Sequence, residues 1–202
     1  MNCKLLLAAT AALAATVLLA ARPTQDAQDG KPDPMAMFGD AAKYLTPNEN
    51  HQWLGQFIGE WDATSRIWMM PGQAPMESKG KASVRWLVEG RWIISESDMT
   101  MFGMPVKTTA ILGYDNFKKK YVSTTVDSFQ TCMLNAEGFR DQAGTALHLY
   151  GPMDEYLTGE NDKTVRYTHR IVSPDKRILE VHDLAIGETN TKVVEFEFTR
   201  HK

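Results

Sequence analysis

Cysteine is nearly absent from this chain: 202 residues hold only Cys3 and Cys132. Clustered positive charge is as scarce. The densest basic run is Lys118 to Lys120, and the formal net charge is −3. Without a concentrated basic surface there is no electrostatic footprint for nucleic acid, whose binding depends on counterion release. The sequence also lacks a Gly-rich phosphate loop, a G-x-S-x-G elbow, an H-E-x-x-H zinc helix and any paired C-x-x-C. The five histidines are scattered at 51, 148, 169, 182 and 201. No metal site or catalytic residue is assigned on this pattern, and an enzyme is the less favoured reading.

The one long apolar run lies at the start. Asn2 to Lys4 gives a short positive segment, Leu5 to Ala21 is rich in Leu and Ala, and Arg22-Pro23 ends the run. It is too short and too alanine-rich for a membrane span and reads as a secretory signal peptide over residues 1–21. Cys3 precedes the run, so a lipoprotein anchor does not fit. The expectation is an exported protein, periplasmic or secreted, with no stable membrane anchor after cleavage. Cleavage would also remove Cys3 and Lys4, leaving about 21 basic against 25 acidic residues. Cys132 would then have no intrachain partner. A free cysteine of this kind is expected to be buried among apolar neighbours.

Residues 22–45 read as a flexible linker, with "PTQDAQDGKPDP" too polar and proline-rich to order itself. Within it, Met35 to Tyr44 has room for one short helical turn. The folded domain is expected over 46–202. It opens with a short capping helix in which Thr46 is the cap and Pro47 the first helical residue. Trp53, Leu54, Phe57 and Ile58 share the apolar face of that helix.

From Gly59 onward, period-two alternation is interrupted by turn signals every eight to twelve residues or so, which is the signature of an all-β sandwich or barrel. About ten strands are expected, at 60–70, 79–88, 91–101, 105–115, 119–129, 131–138, 145–150, 163–172, 177–185 and 191–200. No crossover helix separates them, so an antiparallel up-and-down order follows, and closure into a barrel removes the exposed edges. The segment "DNFKK" at 115–119 is a turn between two arms, with Asp115 and Asn116 supplying local side-chain bonds.

Strand parity sorts the side chains. On the last strand Val194, Phe196 and Phe198 share a face with Arg200, while Glu195 and Glu197 point to water. Trp61 begins the first strand on the face of Ala63, Ile67 and Met69. First and last strands are neighbours in an up-and-down barrel, so Arg200 can lie over the Trp61 ring as a structural closure. In "VRYTHRI" the inward set is Val165, Tyr167, His169 and Ile171. His169 can be a core histidine, a hydrogen-bonding anchor for a ligand, or an axial haem ligand as in small barrels of the nitrobindin type. His182 is expected outside, and His51 at the barrel end. Tyr121, Ser123, Thr125 and Asp127 share one face of their strand, and Asp127 is either a ligand contact or a strand-end cap. The groups Met69, Met70, Met76 and Met99, Met101, Met104 suit soft Cu(I), but methionine more often fills irregular cores and adaptable pockets.

The Trp61 and Arg200 pair resembles the Gly-x-Trp and terminal Arg arrangement of the lipocalin and fatty-acid-binding superfamily. A longer resemblance runs through "HQWLGQFIGEW", "WMMPGQAPMESKGKA", "EGRWI", "GYDNFKKKYVSTTVDS" and "EFTR". This order is similar to domain-of-unknown-function family 1579, a group of exported or cytosolic bacterial proteins, over residues 35 to 200. The resemblance implies a lipocalin-like barrel and carries no established reaction.

The combined expectation is a barrel that binds a small apolar or amphipathic molecule, with Trp86, Val84, Tyr167, His169 and Phe196 lining the cavity and Asp127 as a further contact. Two alternatives accompany it: a haem-binding barrel using His169, with haem as the only cofactor in view, and a structural or interaction protein whose barrel is filled by its own side chains.

Overall fold

The computed structural model describes residues 36–202 apart from 71, 157 and 185–189. The expected signal peptide and the first part of the linker lie outside the described residues. Single 3-10 and α-helical turns occupy Ala36–Ala41 and Ala42–Leu45 (α1), followed by α2, Glu49–Trp53, and a 3-10 turn at Leu54–Phe57.

Ten strands follow: β1 (Gly59–Ile67), β2 (Met76–Val88), β3 (Trp92–Met101), β4 (Met104–Asp115), β5 (Lys120–Asp127), β6 (Leu134–Arg140), β7 (Ala146–Glu155), β8 (Glu160–Ser173), β9 (Lys176–Leu184) and β10 (Asn190–Arg200). Each pairs antiparallel with its sequence neighbour, and β1 pairs with β10 to close the barrel. The expected all-β up-and-down architecture is the one observed. Closure gives every described strand a neighbour on both sides, which removes the two edge strands that an open sheet would expose.

Burial follows parity. On β1 the inward side chains Trp61, Ala63, Ser65 and Ile67 are buried, and their neighbours are more exposed. Met69 was expected on this face, but β1 ends at Ile67 and Met69 is exposed. Strand β7 runs past Tyr150, its expected end, through Gly151-Pro152 to Glu155. Gly151 lies so close to β6 that an added Cβ would meet the Asn135 carbonyl oxygen at 2.1 Å. The glycine there permits close strand contact and does not end the strand.

One end of the barrel is stopped by the helical segment. Trp53, Leu54 and Phe57 are almost wholly buried, each contributing roughly 1.5–3 kcal/mol relative to exposure. The helix begins two residues later than Thr46 suggested. Asn48 is the cap: its side chain accepts from the Asn50 amide, while its own amide donates to His51 Nδ1 at 3.1 Å. Thr46 instead donates its hydroxyl to the Ala42 carbonyl behind it.

The "GYDN" stretch holds this plug in place. Asp115 accepts from the amides of Phe117 and Lys118, which forms the β4–β5 turn. Asn116 donates to the Thr46 carbonyl and accepts from the Asn48 side chain, both at 2.7 Å. Tyr114 packs edge-on against His51 and Tyr121, and the Tyr121 hydroxyl donates to the Asn50 carbonyl. Residues that form one motif in the sequence thus act together to seat the entry helix.

The pair expected to close the barrel is present. Trp61 and Arg200 are register partners, with the guanidinium 4.3 Å from the ring centroid. Arg200 also donates to the carbonyls of Ile58 and Pro174. Glu195 and Glu197 do lie on the outer face, but they are not left to water: Arg66 bridges both, and Lys176 joins Glu197.

Candidate functional site

Inside the barrel is a cavity of about 260 Å³. It extends from Phe57 of the plug to Met101, Asp127 and Met153 at the opposite end. Most of its wall is apolar, including Ile93, Met99, Leu112, Leu134, Val181 and Phe196. Small polar side chains from β3 and β5, such as Ser95, Ser97, Ser123 and Thr125, interrupt one side. Mixed lining of this kind suits a barrel interior that is neither solid nor fully wet.

Tyr167 and His169 project inward from β8, as parity requires, and both line the cavity. Their buried polar atoms, the Tyr167 hydroxyl and His169 Nδ1, have no hydrogen-bond partner among the described residues. Burial raises the Tyr167 pKa to about 12. Desolvation, followed by the nearby charge of Arg177, lowers that of His169 to about 3. His169 is therefore a neutral imidazole at physiological pH, packed edge-on against Phe57.

Val84 and Phe196 line the cavity as expected, but Trp86 does not. A bulge follows Trp86 in the β2–β3 pairing, and the partly buried Trp86 packs against the core near Gly55 of the plug. It belongs to the stopper and not to the cavity wall.

Asp127 is the strand-end cap and also borders the cavity. It lines the far end of the cavity, and its carboxylate also accepts from the amides of Phe129 and Gln130 and from the Gln130 side chain. Most of its hydrogen-bonding capacity is thus spent on its own turn. Cys132 was expected to be buried in a strand. It is only half-buried, in the β5–β6 connection, because β6 starts at Leu134. The methionines divide: Met99 and Met101 face the cavity, whereas Met69, Met70, Met76 and Met104 are exposed. His51 lies in the plug, and His182 lies on the outer wall beside Glu180.

Sequence reasoning missed Arg177. It sits at the plug end of β9, lines the cavity and is only 5% exposed. Its guanidinium carbon is 3.8 Å from the Phe198 ring centroid, 4.9 Å from Trp61 and 5.5 Å from Phe57. Two of its nitrogens, Nε and Nη2, are buried without a hydrogen-bond partner among the described residues. Burial and then the neighbouring Arg200 push its pKa down to about 9, so it stays charged at neutral pH. The signal was available in "RILEV", where Arg177 alternates in phase with the inward Leu179 and Val181.

Haem does not fit this arrangement. His169 lines the cavity with its ring edge-on against Phe57, and the cavity of about 260 Å³ falls below the roughly 300–1,000 Å³ usual for drug-sized ligands, which leaves too little room for a group as large as haem. Among the described residues, no group of three or more His, Cys, Asp or Glu is placed to hold a metal ion.

Fold and cavity define a closed antiparallel barrel, plugged at one end and hollow within. The family described as "Protein of unknown function (DUF1579)" matches residues 46–200, and the chain belongs to it. Among solved structures, that of Rv2717c from M. tuberculosis is similar at a TM-score of 0.53 and 11% identity, covering 78% of this chain and 100% of that one. At such identity the likeness concerns fold alone. A redesigned β-barrel matches at a TM-score of 0.38 and 10% identity over 76% of this chain and 96% of its own, too low to support any argument. No curated protein matches the chain.

Proposed function

We propose that this protein is an exported carrier, periplasmic or secreted, that holds a small amphipathic molecule inside its barrel. The observation that carries the reading is the cavity itself, about 260 Å³ with a mainly apolar wall. A barrel meant only as a scaffold gains dispersion energy by filling such a space, and a persistent void forfeits it. Catalysis has less support. Among the described residues the neutral His169 ring packs against Phe57 with Nδ1 unpartnered, whereas triad-type chemistry needs a nucleophile and an orienting carboxylate in contact with the base.

Native mass spectrometry of the mature protein from its own host tests the reading, together with titration by the neutral apolar dye N-phenyl-1-naphthylamine. The expected result is a co-purifying small mass, or saturable dye binding that an amphiphile displaces. A clean apo mass with no dye binding would overturn the carrier and leave a packed structural barrel. A Soret band on the same sample, lost in His169→Ala, would overturn the poor fit found for haem.

A further inference from the structure

From the buried guanidinium of Arg177 and its two unpartnered nitrogens, we infer that the plug end of the cavity is a subsite for the carboxylate of a medium-chain amphiphile, which enters head first. This deepens the carrier reading and rests on it.

An isolated cation taken out of water is costly, and proteins ordinarily supply a buried arginine with a carboxylate or a set of carbonyls. Arg177 has neither: Nε and Nη2 lack hydrogen-bond partners among the described residues. The nearby acids are engaged elsewhere. Asp175 pairs with Arg200, and Asp127 lines the opposite end of the cavity and caps its own turn. The rings of Phe198, Trp61 and Phe57 surround the guanidinium. Cation–π contact offsets part of the desolvation, but ring faces are far weaker hydrogen-bond acceptors for Nε and Nη2 than a carboxylate or carbonyl oxygen.

The Nε edge of a guanidinium matches the two oxygens of a carboxylate, the geometry for which arginine is preferred over lysine. The other two orphaned polar groups in this cavity are the neutral His169 and the Tyr167 hydroxyl. His169 pairs with Leu179, one inward step from Arg177, and Tyr167 with Val181, one step further along the wall; both are neutral, so this end of the cavity offers one positive charge and suits a monoanion. Alongside them the wall is apolar at Leu179, Val181, Val194 and Phe196, as an alkyl chain requires. A cavity of about 260 Å³ suits a chain of about eight to ten carbons, each methylene gaining roughly 0.8 kcal/mol on burial.

The test compares decanoate with decanol, which share a chain and differ in head group, by calorimetric titration against wild type, Arg177→Met and Arg177→Lys. Wild type should bind decanoate about tenfold or more tighter than decanol, the equivalent of one charge-assisted hydrogen bond. Arg177→Met should lose that preference while still binding decanol, and Arg177→Lys should keep part of it. The carboxyl carbon of bound [1-¹³C]decanoate should stay at its ionised shift through the pH range in which the free acid titrates. Equal affinities in wild type, or a preference for decanol, would overturn the anionic subsite and leave the carrier reading intact. Failure of decanoate, decanol and the neutral dye alike would overturn both. The wild-type comparison decides the matter even if Arg177→Met does not fold.

Discussion

Moving from pH 7 to pH 5 should weaken the barrel through His169 before its carboxylates begin to matter. The imidazole points into the barrel interior, and burial with the adjacent Arg177 charge lowers its pKa to about 3. In the unfolded chain the same group titrates near 6.5. Between those values the unfolded state binds a proton that the folded state refuses, so stability is complete above about 6.5 and falls as the pH drops towards 3. Linkage over the interval from pH 7 to pH 5 gives a loss of about 2 kcal/mol for this one group. Because pH 5 lies well above the folded value, that figure depends almost wholly on the unfolded pKa. His51, His148 and His182 are also lowered, chiefly by burial, and act in the same direction. The contribution of His169 must therefore be isolated by difference. Urea unfolding followed by tryptophan fluorescence, with Trp61 as a buried reporter, should be run at both pH values on wild type and His169→Gln. The variant should lose about 2 kcal/mol less than wild type across the interval, or roughly 1 M in urea midpoint at typical slopes. Parallel losses in the two proteins would refute the claim that His169 folds into the barrel as a neutral imidazole.

Other predictions concern the closure, the plug and the strand contacts. Arg200→Ala removes the stack on Trp61 and the bonds to Ile58 and Pro174, and should cost about 2–3 kcal/mol in chemical denaturation; an unchanged midpoint would reduce the pair to decoration. Asn116→Ala cuts the ties to Thr46 and Asn48. It should accelerate amide exchange in residues 46–53 and cost about 1–2 kcal/mol, with strands β7 to β9 unaffected. In Gly138→Ala the new Cβ would meet the His148 carbonyl oxygen at 1.9 Å. Loss of about 1–3 kcal/mol should appear as a lower melting temperature, and a neutral result would mean that β6 and β7 separate more easily than their packing suggests.

The strands were legible because each has one face towards the interior, so alternation survives in the sequence even where turns are irregular. Trp61 and Arg200 could be paired before any coordinates because up-and-down order makes the first and last strands neighbours. Legibility failed where a local rule competed with a contact distant in sequence. Thr46 is a competent cap, but Asn48 also gains His51 as a reciprocal partner and so takes the position. Gly151-Pro152 resembles a strand end until the close passage of β6 explains the glycine. Trp86 has the parity of a cavity residue, yet the bulge in β2 and the plug beside it redirect its packing. Arg177 was the costliest omission. An arginine one residue into a strand normally reads as surface, and only the three rings contributed by the plug, β1 and β10 show that this one lies inside.

The pairing of β1 with β10 joins Trp61 to Arg200 and Ile67 to Val194. The last hydrogen bonds to form are thus among the most distant in sequence. A folding chain can build hairpin after hairpin, since every other pairing is local, but it remains an open, two-edged ribbon until its final strand is in place. During that interval both edges can recruit another copy. The moment of greatest aggregation hazard should therefore fall late in folding, and it should end abruptly when the seam closes.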